Sequence, residues 1–262
     1  MTETKAQRLS GLPPFRTNKI PGRFTESLAT SSHEWLEERA GTELANLRNQ
    51  VQLVVNDLSY LTAEVASGDS AASHFIDRLR IATDNATGCA LLADARLSAP
   101  VAAVTRSMLE SLVTTHWASL SDANAEEIQT AARYEHIRLM RNILRNDHGI
   151  IKNRITGQNE TQKILDPPWV KTAKSPPRVN TMAKESGLNK LYDMFYGIMS
   201  LLAHGTDTRA LLDEQSDLLS RSVEAARTLL EAIYLVVVNH VRWHRSTAVT
   251  EIEAILHIIF VR

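Results

Sequence analysis

Four polar-tipped residues, Tyr192, Tyr196, Ser200 and His204, recur every four positions beside Phe195 and Met199. Four residues turn a helix by ~400°, so the set winds slowly along one stripe. Ser200 and His204 have the spacing of a nucleophile and its base. No orienting acid or glycine-rich oxyanion turn accompanies them, so the set reads as a hydrogen-bonded cluster rather than a hydrolase centre. Arg106 and Glu110, also four apart, share one face of the least polar stretch of the chain. A buried charge needs a partner, and the Tyr192 to His204 ladder is the other stretch that sends consecutive polar groups along an apolar face. The two stripes are expected to face each other, with Arg106 or Glu110 reaching Tyr196, Ser200 or His204. Loss of one member of an enclosed ion pair would cost about 3 to 5 kcal/mol. These six residues form the candidate ligand-binding set.

His240 and His244 have the i, i+4 spacing that can clamp a metal. Val241, Arg242 and Trp243 between them lack the glutamate of a metalloprotease helix, and a zinc site needs further ligands, so no metal and no cofactor are expected. The single cysteine, Cys89, cannot form an intramolecular bridge, which fits a reducing, cytoplasmic address. Net charge is only −1, but residues 133–190 hold twelve Lys and Arg against five Asp and Glu, leaving −8 on the remainder. Such a basic region could meet RNA or another polyanion, with Arg138, Arg145 and Lys152 as phosphate contacts. Cations near a helix C-terminus also offset the macrodipole, which accounts for some of these residues without a ligand.

The elements that must carry these residues are helical. The chain has 262 residues, 44% of them hydrophobic, with ten glycines. That composition excludes collagen-like and wholly disordered chains and suits a globular core. Residues 1–30, rich in Pro, Gly, Ser and Thr, read as a flexible tail ahead of a bundle over 31–262. Ser31 and Ser32 are the predicted caps of a first long helix, whose apolar positions Leu44, Leu47, Val51, Val54, Leu58, Leu61 and Val65 alternate steps of three and four.

Ser70 is read as the cap of a second helix with a small-residue stripe through Ala82, Ala86, Cys89 and Ala93. Pro100 opens an all-round apolar third helix, which belongs at the centre of a bundle. A fourth helix runs to about Asn146, and residues 148–187, with four prolines, read as a long basic loop. Helical periodicity resumes through Leu188 to Leu202 and Leu219 to Val237, and ends in a short helix from Thr250 to Phe260. The fold class is all-α, a single bundle of about six or seven helices. The richest apolar runs, Ala232 to Val238 and Ala254 to Val261, fall short of the ~18 residues of a membrane span. The first-helix stripe and the run Ile255 to Val261 offer more apolar surface than one bundle needs, which predicts a homodimer.

Arg106 to Glu110 (R-S-M-L-E), the Trp169 loop, Met182, Ala183 and Gly187 (M-A-x3-G) and Tyr192 to Gly205 (Y-x3-Y-x3-S-x3-H-G) follow one another in an order that resembles a known family. It is that of bacterial all-helical proteins of unknown function with HEPN-like bundles, some associated with abortive infection, over about residues 90–206. The resemblance implies a helical fold and a polar pocket. Arg141, Asn142 and His148 form an R-N-x5-H run similar to the HEPN ribonuclease signature, a spacing that chance also supplies. Extended to chemistry, the resemblance implies metal-free RNA cleavage by Arg141 and His148, assembled across a dimer. Here the run falls at a helix end leading into Gly149, where the family pattern expects it within a helix pair. The favoured expectation is a non-catalytic module that binds a ligand or partner through its buried polar cluster; the alternative is a HEPN-like ribonuclease in phage defence.

Overall fold

The computed structural model describes residues 22–65, 69–145, 149–161, 177–203 and 215–260. Eight helices lie among them: α1 Gly22–Glu64, α2 Ser70–Asp94, α3 Ser98–Ser119, α4 Asp122–Arg145, α5 Val179–Glu185, α6 Asn189–Ala203, α7 Gln215–Trp243 and α8 Val249–Phe260. The fold is an all-α bundle. No helix of the described residues is long and apolar enough to cross a membrane.

Helix boundaries follow local chemistry, with three departures from the sequence reading. Helix α1 starts at Gly22, well ahead of the caps expected at Ser31 and Ser32, and so takes in residues assigned to the tail. Asp69, not Ser70, caps α2, its carboxylate accepting the Ala72 N–H at 2.8 Å. Pro100 stands in the third position of α3, where the missing N–H has no partner to lose. Part of the expected loop is a small turn: Lys152 and Asn159 form an isolated antiparallel bridge. The Asn153 side chain accepts the N–H groups of Ile155 and Thr156, and Gly157 takes a left-handed φ of 68°.

Helix α3 is the centre, packed by α2, α4, α5, α6 and α7, which explains why it tolerates apolar residues on nearly every face. Fully buried Met108, Leu109, Leu112 and Val113 form its core, while α7 contributes Leu229, Leu230, Ile233 and Val237. The small α2 stripe, Ala82, Ala86 and Cys89, lets helices approach so closely that the Cys89 thiol lies 3.7 Å from the Thr105 hydroxyl of α3.

Leu47, Val54 and Leu61, one heptad apart, are fully buried, with Leu44, Val51, Leu58 and Val65 packed beside them. Each such side chain contributes roughly 1.5–3 kcal/mol. The apolar stripe that predicts a homodimer is therefore covered within the chain, and that part of the dimer argument falls.

Helices α1 and α7 run parallel, because their polar contacts climb together. Arg39 pairs with Glu224 at 3.5 Å, Glu43 with Arg227 at 3.9 Å, Asp57 with Arg242 at 3.0 Å and Glu64 with Arg242 at 2.8 Å. The Tyr234 hydroxyl also donates to Asp57 at 2.5 Å. Burial pushes Asp57 upward, but hydrogen bonds from Tyr234 and Arg242, with the Arg242 charge, hold its carboxyl below the usual value.

Candidate functional site

The approach of α6 to α3 is set by the turn before it. Ser186 ends α5, Gly187 takes φ 76°, and the Leu188 N–H returns to the Ala183 carbonyl at 2.8 Å. This left-handed close satisfies the last carbonyls of α5 and aims α6 back at the core. A Cβ on Gly187 would meet Val249 Cγ2 at 3.1 Å, so α8 also crowds the turn. The Met182, Ala183 and Gly187 motif is thus a packing and capping device: Met182 and Ala183 are buried. Trp117 of α3 pins the same region, its indole N–H donating to Glu185 at 2.6 Å.

Leu188, Tyr192 and Phe195 bury one face of this segment, and Tyr196 lies at its edge. There the Arg106 Nη2 donates to the Tyr196 hydroxyl, and the guanidinium carbon lies 4.3 Å from the centroid of the same ring. Arg106 Nε donates to Glu110 Oε1 at 3.4 Å. The Tyr192 ring stacks on Tyr196 at 4.8 Å. Burial, then the neighbouring Tyr196 and Glu110, push the Tyr192 hydroxyl up to about 12, so it remains a proton donor at neutral pH.

The two polar stripes therefore meet, as their chemistry requires. Arg106, Glu110, Tyr192 and Tyr196 come together, whereas the Ser200 side chain and His204 lie outside the described residues. The cluster is less enclosed than expected. Arg106 and Glu110 side chains remain 22% and 35% exposed, because α3 turns this face to the bundle edge beside α6. That opening lowers the cost of breaking the pair.

Residues 146–148 and 162–176 of the basic region lie outside the described residues. Arg141 lies half-buried on α4, while His148 and the Arg145 side chain lie outside the described residues. Arg138 pairs with Glu135 at 2.7 Å, which offsets its charge, and Lys152 is exposed on the small turn. Trp169 also falls outside the described residues.

Helix α7 ends at Trp243, between His240 and His244. His240 packs its ring 3.9 Å from Phe75, and burial lowers its pKa. His244 lies beyond α7 with φ 47°, exposed, while Arg245 N–H returns to the Asn239 carbonyl at 3.1 Å. Helical spacing fails because the helix ends between the two residues. No group of three metal-ligating side chains exists among the described residues.

Two histidines that spacing did not single out are placed more tellingly. Fully buried His116 donates from Nε2 to the Thr247 carbonyl at 2.9 Å, while its Nδ1 has no partner among the described residues. Burial lowers its pKa, against the hydrogen bond to Thr247. His74 accepts the Nε–H of Arg78 at 3.4 Å on α2. The i, i+4 spacing of that pair was visible, but that Arg78 forms no ion pair among the described residues was not.

No curated protein and no solved structure matches the chain. The sequence pattern of a family of unknown function, DUF5677, matches residues 82–218. That stretch spans more than half the chain and contains α3 to α6, with Arg106, Glu110, Tyr192 and Tyr196. On this match, the chain belongs to the DUF5677 family of unknown function.

Proposed function

We propose that the chain is a non-catalytic binding module whose small polar ligand, or partner side chain, docks at the edge of the α3 and α6 contact. The observation that carries the reading is the half-open cluster of Arg106, Glu110 and Tyr196. A guanidinium, a carboxylate and a phenol hydroxyl converge there, on a ring fixed from its other side by Tyr192. The group offers donors and acceptors together, held by helices rather than loops, so a ligand would pay little ordering entropy. A ligand presenting both hydrogen-bond types fits it better than a simple anion, since Glu110 already balances Arg106.

Thermal-shift titration of the full chain with nucleosides, sugars and amino acids tests the reading. At least one class should raise the melting temperature of the wild type and leave Arg106→Gln and Tyr196→Phe unmoved. No response from any class, or equal responses in the variants, would sink it. The HEPN-like ribonuclease alternative, with Arg141 and His148 as its pair, draws no support from the geometry, because His148 lies outside the described residues. An RNA or polyanion contact over residues 133–190 has only local charge behind it. A cytoplasmic address fits the buried, free Cys89, whose thiol burial pushes up to about 11.

A further inference from the structure

Arg78 differs from four other half-buried arginines. Arg39, Arg106, Arg227 and Arg242 each have a carboxylate partner, respectively Glu224, Glu110, Glu43 and Asp57. Arg78 has no carboxylate within ion-pair distance among the described residues. Its one hydrogen bond runs from Nε to His74 Nε2 at 3.4 Å. A guanidinium has five N–H donors, so most of this fork is unused by protein groups. Burial lowers the Arg78 pKa with no acid to offset it. Burial, then the Arg78 charge, also holds His74 down at about 4, so at neutral pH His74 is an uncharged acceptor that leaves the cation uncompensated.

The side chain opens into a cleft of about 260 Å³ between α2 and α4, lined on one side by Pro177, Val179 and Met182. Ile128, Ala131, Val179 and Met182 make its walls largely apolar. Two further polar groups line it, and neither makes an ion pair or hydrogen bond with Arg78. The Thr114 hydroxyl donates to the Glu110 carbonyl at 2.8 Å, and Glu135 is held by Arg138 at 2.7 Å. Asp77 and Asp69, with Arg133, line the neighbouring cleft on the far side of His74.

We propose that this cleft binds the carboxylate of a small apolar acid, with Arg78 as the ion-pairing group and Ile128, Ala131, Val179 and Met182 around its hydrocarbon part. A planar carboxylate matches the planar fork of an arginine. Phosphate fits less well: one guanidinium stands alone and the apolar walls would meet only water. The volume lies just under the ~300 Å³ at which drug-sized pockets begin, which limits the ligand to an acid such as hexanoate or benzoate. The site lies apart from the Arg106 cluster, and Arg78 precedes the family match at residues 82–218.

Isothermal titration of the full chain with hexanoate at pH 7 tests it. Saturable one-to-one binding is expected, weakened about tenfold or more for hexan-1-ol and hexylammonium, which keep the chain but lose the carboxylate. Arg78→Gln should lose binding by a similar factor and Arg106→Gln should not, which separates this site from the polar cluster. Ala132→Trp fills the cleft from an exposed rim position and should block hexanoate even where Arg78→Gln folds poorly. No saturation by about 10 mM would overturn the proposal. So would equal affinity for hexan-1-ol, undiminished binding to Ala132→Trp, or displacement by inorganic phosphate as tight as hexanoate itself.

Discussion

The Arg106 guanidinium uses Tyr196 twice, donating to its hydroxyl while lying over its ring at 4.3 Å from the centroid. The two contacts can be separated by substitution. Tyr196→Phe keeps the ring face and should cost about 1 kcal/mol, while Tyr196→Ala removes both contacts and the buried ring edge and should cost about 3 kcal/mol. Glu110→Gln should cost only about 1 kcal/mol, because the pair is partly solvated at 22% and 35% exposure. Urea denaturation measures all three. Equal costs for the two tyrosine variants would show that the ring face contributes nothing.

Acid should destabilise the fold through His74. Its folded pKa, about 4, lies below the ordinary 6.5, so the unfolded chain takes up a proton that the folded chain refuses. Stability is therefore complete above about pH 6.5 and falls as pH drops towards 4, by about 2 kcal/mol after allowance for the group's partial exposure. His116 and His240, both lowered by burial, act in the same direction. Urea midpoints at pH 7 and pH 4.5 should differ less in His74→Gln than in the wild type. Parallel losses would place the effect elsewhere.

Gly187→Ala should cost about 1–2 kcal/mol, since the residue sits at φ 76° and its new Cβ would meet Val249 at 3.1 Å. The strain has a backbone share and a steric share. Adding Val249→Ala should recover the second and leave the first, which a double-mutant cycle by thermal denaturation reads directly. Strict additivity of the two changes would deny the contact.

Arg242→Ala should cost about 2 kcal/mol, because it strips hydrogen bonds from both Glu64 and Asp57 of α1. Tyr234→Phe should cost about 1 kcal/mol. Burial, then Asp57, push the Tyr234 hydroxyl up to about 12, so it serves as a donor throughout the neutral range. The Arg242 cost should shrink in about 1 M salt, where exposed charges are screened. A cost that ignores salt would point to lost packing alone.

Much of this was legible in residue patterns. Alternating steps of three and four from Leu44 to Val65 can bury only one face of a helix, and they do. Arg106 and Tyr196 could be brought together because polar groups on apolar stripes have few places to find partners. The start of α1 was hidden, since Pro21 and Gly22 look like tail residues when read locally. Arg78 was hidden for a different reason. Its significance is a missing acid, and a missing neighbour becomes visible only when α4 is in place.

The parallel pairing of α1 and α7 also sets a timetable for synthesis. Asp57 and Tyr234 are 177 residues apart, so α1 leaves the ribosome long before the helix it zips against exists. At about 5–20 residues per second, roughly ten to thirty seconds separate the two. During that interval the face of α1 that will meet α7, with Leu47, Val54 and Leu61 along its length, lacks its final cover. Closing so long a loop is slow and comes late. The nascent chain therefore passes through a stage in which its first helix is a natural client for a chaperone and a natural seed for aggregation.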